Sequence, residues 1–309
     1  MAHRNVIVIE GGGAKGPYGS GVLEQLEDRV GRRIGEFIDL VVGTSVGAVL
    51  GSLICTGKIS ARDLACIVLN ELPTIFKKRG WFFPIPKYSH DNYVDCYMKY
   101  IGPDVFMKDL MVKLMCTTVD RCEPKVHYLK SWESKDGELL VTEAVVRSFS
   151  APYFFGATID PADQKVWMDG GMSYNNLPLI QAYIEILRQG WLNDGGTVHI
   201  LGIGMGRPNN SVTFKRASKR GILKQTIDQI RKYMDISDGG LAREMATLEQ
   251  VRSLEAICHC TPNLTFQWVD HVLPKSLDKM DNVKARHVYY RMGLNSGQDI
   301  DVSKFRTEG

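Results

Sequence analysis

Short apolar runs alternate with stretches of helical periodicity along most of this chain. Asn5–Ile9 carries the run Val-Ile-Val-Ile and predicts a buried strand, and a glycine loop, Gly11–Gly16, follows at once. Tyr18–Arg29 places Val22, Leu23 and Leu26 on one helical face, Ile38–Val42 predicts a second strand, and Val46–Cys55 a helix of small and apolar residues. Ser60, with Asp63 three positions on, is a capping pair for a helix reaching Leu72. Further strands are expected at 112–119, 125–129, 166–168 and 198–203, and further helices at 143–148, 179–188, 215–233 and 241–257. Trp81–Pro86 breaks the pattern as a loop. Strands that are apolar on both faces and alternate with helices indicate an α/β protein with a mostly parallel sheet, helix-covered on both sides.

Composition sharpens this picture at one point. The 309 residues include 30 glycines, and eleven of these fall in three places: residues 11–21, positions 43, 47 and 51, and the pair 170–171. The net charge of +3 is too small for a nucleic-acid binder. Seven cysteines, an odd number without a CxxC pair, fit reduced thiols in the cytosol. Cys258-His259-Cys260 is too compact for a zinc site. The opening apolar run is too short for a signal-peptide core. Leu40–Gly57 lacks charges over 18 residues, but Asp39 abuts it, Thr44, Ser45 and Ser52 lie within it, and it reads as strand, turn and helix rather than a membrane span.

The first glycine cluster, Gly11-Gly12-Gly13-Ala14-Lys15-Gly16, sits between a strand and a helix and satisfies G-x-G-x-x-G. A dinucleotide fold would place an acid at the end of the second strand. Here Gly43-Thr44-Ser45-Val46-Gly47 stands there instead, so the ribose-binding position is missing. That second cluster is G-x-S-x-G between a predicted strand and a predicted helix, the context a nucleophile elbow requires. On this reading the first loop turns backbone N–H groups toward an oxyanion. Ser45 needs a base. None of the histidines at 3, 90, 127, 199, 259, 271 and 287 lies in an obvious catalytic turn, although His271 and His287 come late enough for a serine–acid–histidine order. Asp169, after a short strand and before Gly170-Gly171, offers a carboxylate alternative if burial raises its pKa.

Four blocks in order resemble the patatin-like phospholipase family: the loop at 11–16, the elbow at 43–47, Ser148-Phe149-Ser150-Ala151-Pro152-Tyr153-Phe154, and Asp169-Gly170-Gly171 followed by Asn175-Asn176-Leu177-Pro178. The resemblance implies one hydrolase domain over 1–309, with its motifs within 6–178 and a looser part at 205–309. The implied fold is three-layer α/β/α. The implied chemistry is a Ser45–Asp169 dyad without histidine, metal or cofactor, cleaving fatty acyl esters of phospholipids. Gly11, Gly12, Gly13 and Ala14 would build the oxyanion hole, with Gly12 and Gly13 donating. Lys15, Gly16, Gly43, Gly47 and Gly170 would support it. Acyl-carrier-protein transacylases have His before the serine, where this chain has Thr44. The competing readings are a nucleotide-binding module that uses the glycine loop and a catalytically idle lipid-binding relative.

A lipase must meet its lipid. Phe76–Phe83 mixes three cations with aromatics and contains no acid, which suits peripheral contact of a cytoplasmic protein with a membrane surface. Lys215–Lys232 carries seven basic residues against one acid and reads as a basic amphipathic helix, with a solvated face the simpler account.

Overall fold

A computed structural model describes residues 2–80, 86–193, 195–208 and 241–305. The helix expected at 215–233 and the tip of the Phe76–Phe83 segment lie outside the described residues.

Strand β1 (His3–Ile9) occupies the middle of an eight-stranded sheet. It pairs in parallel with β2 (Leu40–Thr44) on one side and β7 (Thr197–Ile203) on the other, and β7 pairs in parallel with β9 (Leu264–Val269). The two-residue period of the strand sorts the β1 side chains into two cores. Ile7 and Ile9 join the cluster of α1 (Gly16–Val30), α2 (Val46–Cys55), α3 (Ala61–Ile75), α4 (His90–Ile101) and α6 (Val141–Phe149). Val6 and Val8 join the cluster of α7 (Leu179–Arg188) and α8 (Leu241–Cys260). All four are fully buried, so the apolar run is explained by burial on both faces, and the three-layer α/β/α architecture follows. Leu40–Gly57 is β2, a turn and α2, and among the described residues no helix is long and apolar enough to cross a membrane.

Beyond β2 the sheet becomes mixed. Strand β3 (Lys113–Asp120) has three partners. Strand β4 (Lys125–Lys130) runs antiparallel along one edge, from Met115 to Asp120. The other edge is shared: β2 pairs in parallel with Lys113–Thr117, and β6 (Lys165–Asp169) pairs antiparallel with Thr118–Asp120. Two strand ends therefore meet head to head along one neighbour. The short β5 (Thr158–Asp160) extends β6.

Among the longer elements, three were not legible in the periodicity. Helix α4 presents Tyr93 and Tyr97 to the core, and tyrosine gives a weak hydropathy signal although the face is sound. Strand β9 is foreshadowed only by its end near Val269. The third, α9 (Arg286–Gly297), is polar along most of its length and docks on α1 by close backbone approach rather than by an apolar stripe. A Cβ at Gly293 would stand 2.0 Å from the Tyr18 carbonyl oxygen, and one at Gly21 would stand 2.4 Å from the Tyr290 carbonyl oxygen. Gly293→Ala is therefore expected to destabilise the protein by about 1–3 kcal/mol. This would appear as a lower urea midpoint at an unchanged denaturant slope.

Candidate active site

The turn between β2 and α2 holds Ser45 at φ 55°, ψ −124°, a left-handed conformation that costs a non-glycine residue on the order of 1–3 kcal/mol. Close packing around the turn imposes it. A Cβ at Gly43 would come within 2.5 Å of the Gly47 backbone, and one at Gly47 within 2.3 Å of the Ile9 carbonyl oxygen. The chain must turn back on itself and against β1 within these residues. The Ser45 N–H donates to Ser148 Oγ at 3.0 Å, and the Ser148 hydroxyl donates to the Thr117 carbonyl at 2.7 Å.

The shared edge of β3 brings the acid. Thr44 lies opposite Thr117 and Asp169 opposite Thr118, the next residue along. The Ser45 hydroxyl donates to Asp169 Oδ2 at 2.7 Å. Asp169 Oδ1 accepts the Gly171 N–H at 2.7 Å, and the Asp169 N–H donates to the Ser150 carbonyl at 3.0 Å. A Cβ at Gly170 would meet the Thr117 carbonyl oxygen at 2.4 Å, so only glycine lets the strand end lie this close. Both Ser45 and Asp169 are buried. Burial pushes the Asp169 carboxyl above the ordinary aspartate pKa, while the Ser45 and Gly171 hydrogen bonds favour the charged form.

The glycine loop approaches from β1. The Gly11 N–H donates to the Asn176 carbonyl at 3.1 Å and the Ala14 N–H to the Met280 carbonyl at 2.7 Å. Those two amides are thus committed to the protein, whereas the N–H groups of Gly12 and Gly13 have no acceptor among the described residues. Gly13 has φ 57°, and Gly13, Ser45 and Asp169 line one cleft. Lys15 is buried and donates to the Gly206 carbonyl at 2.9 Å, and burial holds its pKa below the ordinary lysine value. Gly16 packs on Val46 at the start of α2.

The cleft at Ser45 encloses about 880 Å³, open solvent at its entrance included, and is almost wholly apolar. Val46, Val49 and Leu53 line it along α2, and Leu53, eight residues past Ser45, lies roughly 12 Å along the chain from it at the usual helical rise. Val68 and Leu72 of α3 and Tyr93 and Tyr97 of α4 supply the walls. No histidine lines it: His90 contacts Ser150 and His199 contacts Thr265. Among the described residues, no group of three His, Cys, Asp or Glu side chains could hold a metal ion.

Residues 7–183, more than half of the chain, match the family model for the patatin-like phospholipases. The chain belongs to that family. A cGAMP-activated phospholipase of Escherichia coli is 26% identical over 200 residues, covering 59% of this chain and 56% of that protein. A cUMP-AMP-activated phospholipase of Escherichia coli is 23% identical over 300 residues, 91% of this chain and 88% of that one. Against the first of these the chain spans just over half of the relative's length. The crystal structure of VipD from Legionella pneumophila overlays with a TM-score of 0.43 at 11% identity, covering 96% of this chain and 66% of that one.

Several residues that shape the patatin-like site carry no chemical signature in the sequence. Ser148 is one, although it stands in a recognised block. Glu10 is another: its carboxylate accepts from Asn176 Nδ2, Thr247 Oγ1 and the Met205 N–H, tying the loop to three remote segments. Ser148→Ala would leave the Ser45 N–H and the Thr117 carbonyl without their buried partner, at a cost of about 1–3 kcal/mol. Thermal denaturation should show the loss, together with slower fluorophosphonate labelling of Ser45 as the turn relaxes.

Proposed function

We propose that the protein cleaves fatty acyl esters of membrane phospholipids through a Ser45–Asp169 dyad. The observation that carries this reading is the 2.7 Å Ser45–Asp169 hydrogen bond at the mouth of a large apolar cleft. Asp169 takes the hydroxyl proton as Ser45 Oγ attacks the ester carbonyl. The backbone N–H groups of Gly12 and Gly13, beside the N-terminus of α2, hold the oxyanion. The protonated Asp169 returns its proton to the leaving alcohol, and water then releases the fatty acid from the acyl-enzyme. Gly11 and Ala14 fix the loop, Lys15 neutralises charge behind it, and Gly16, Gly43, Gly47 and Gly170 permit the close approaches.

Each methylene the acyl chain buries in the cleft contributes about 0.8 kcal/mol, which favours long-chain substrates. Phe76 packs on Tyr88 and Phe155 and lines this cleft, while Lys77, Lys78 and Arg79 after it are exposed. That arrangement suits a cytoplasmic enzyme whose cationic segment rests on anionic lipid while the cleft receives the chain. We take 1–309 as one catalytic unit.

Ser45→Ala and Asp169→Asn should each lower hydrolysis of a long-chain phospholipid by at least about a thousandfold. A fluorophosphonate should label Ser45, and retained turnover in either variant would remove the dyad. The pH profile supplies an independent check. Only the ionised Asp169 can accept the proton, and its pKa is raised, so kcat/KM should fall on the acid side through a single limb centred above the ordinary aspartate value of 3.8. No second limb of histidine origin is expected.

A further inference from the structure

The loop at 278–282 touches the glycine loop twice. The Ala14 N–H donates to the Met280 carbonyl at 2.7 Å, and Asp278 Oδ1 lies 3.9 Å from Lys15 Nζ. The fit is close: a Cβ at Gly13 would stand 2.5 Å from the same Met280 carbonyl oxygen. Where Met280 sits therefore sets where the amides of Gly12 and Gly13, the two residues before Ala14, lie.

Residues 278–282 belong to no helix or strand, so regular structure does not hold Met280 in place. Its neighbour Asp281 supplies a tie. Asp281 Oδ2 accepts from Lys87 Nζ, and from the Tyr88 hydroxyl at 3.0 Å. Those donors stand on firm ground. Tyr88 is buried against Phe154 and Phe155, and its N–H donates to the Phe154 carbonyl at 2.7 Å. Phe154 and Met280 both line the cleft at Ser45, whereas Asp281 does not. The Asp281 carboxylate thus bridges two parts of one cleft wall from behind. The Lys87 and Asp281 side chains are only 28% and 21% exposed. A shielded carboxylate with two converging donors, one of them charged, holds its geometry better than an exposed ion pair does.

We infer that Asp281 is a positioning residue for the glycine loop: Lys87 and Tyr88 pin Asp281, which holds Met280, and the Met280 carbonyl pins Ala14. The inference rests on the proposed function above, in which the Gly12 and Gly13 amides hold the oxyanion. Its effect falls on the transition state more than on substrate binding, because those amides meet the charge that develops on the carbonyl oxygen. Removing one oxyanion donor outright lowers kcat by about 10²–10³. Displacing two donors slightly should lower it by roughly tenfold to a hundredfold.

Asp281→Asn keeps the size of the side chain and removes its charge. It should lower kcat for soluble nitrophenyl butyrate roughly tenfold or more, with KM within about twofold of wild type. Tyr88→Phe keeps the aromatic packing and loses only the hydroxyl donor, and Lys87→Met keeps the stem and loses the charge. Each should give a smaller fall in kcat, and neither should add fully to Asp281→Asn. These two variants decide the matter if the asparagine variant melts early. Hydrogen exchange supplies a readout that does not depend on catalysis. In a Ser45→Ala background, Asp281→Asn should speed exchange of the Ala14 N–H in a peptide covering 11–16 and leave a peptide covering 43–47 unchanged. Unchanged exchange at 11–16 overturns the inference. So does a kcat within about twofold of wild type in a variant whose exchange or melting temperature has changed, since Asp281 would then serve the fold alone. Should wild type fail to cleave the ester, or Ser45→Ala retain that activity, the hydrolase reading fails, and the exchange arm alone decides whether Asp281 pins the loop.

Discussion

One edge of β3 governs the geometry of this protein. Strand β2 covers its first half in parallel and β6 its second half antiparallel, so the two strand ends face each other at Thr117 and Thr118. Ser45 leaves one end and Asp169 closes the other. Their hydrogen bond follows from the backbone ladder rather than from flexible side chains. This matters because a serine hydroxyl and a carboxylate must hold a tenth-nanometre-scale alignment for proton transfer, and ladders hold position better than loops do.

That alignment is stabilised from behind. The left-handed backbone of Ser45 is unfavourable by itself and persists because Gly43, Gly47 and Ile9 leave no other path for the chain. Ser148 satisfies the Ser45 amide in a place water does not reach. The same logic applies to the glycine loop, whose outer amides are pinned by Asn176 and Met280 while those of Gly12 and Gly13 have no acceptor among the described residues. On the proposed mechanism, amides fixed in advance need no reorganisation when they meet an oxyanion. Strain at Ser45 and order around it are two sides of one arrangement.

Charge is distributed in the same spirit. Asp169 is buried, which raises its pKa, while the Ser45 hydroxyl and the Gly171 N–H it accepts from favour its charged form. Lys15 and Glu10 are buried close to each other behind the loop, each held by backbone or side-chain hydrogen bonds.

Much of the fold was legible in the chain because burial on both faces leaves a plain signal: Val6–Ile9 and Leu40–Val42 read as central strands, and Ser60 caps α3 through the Asp63 N–H as its spacing indicates. The glycine excess was also legible as three places of close approach, since only glycine tolerates the contacts at 43, 47 and 170. Helix α4 was not, because tyrosines at helical spacing are ambiguous until a core receives them, nor was α9, whose docking depends on the absence of side chains at Gly293. Sequence alone determined which residue types could do the chemistry and where the backbone had to be special. Tertiary structure decided which of them meet. The split edge of β3 joins Thr44 to Thr117, 73 positions on, and Thr118 to Asp169, 51 positions on, and the Ser45–Asp169 hydrogen bond spans 124 positions; no local pattern encodes such pairing.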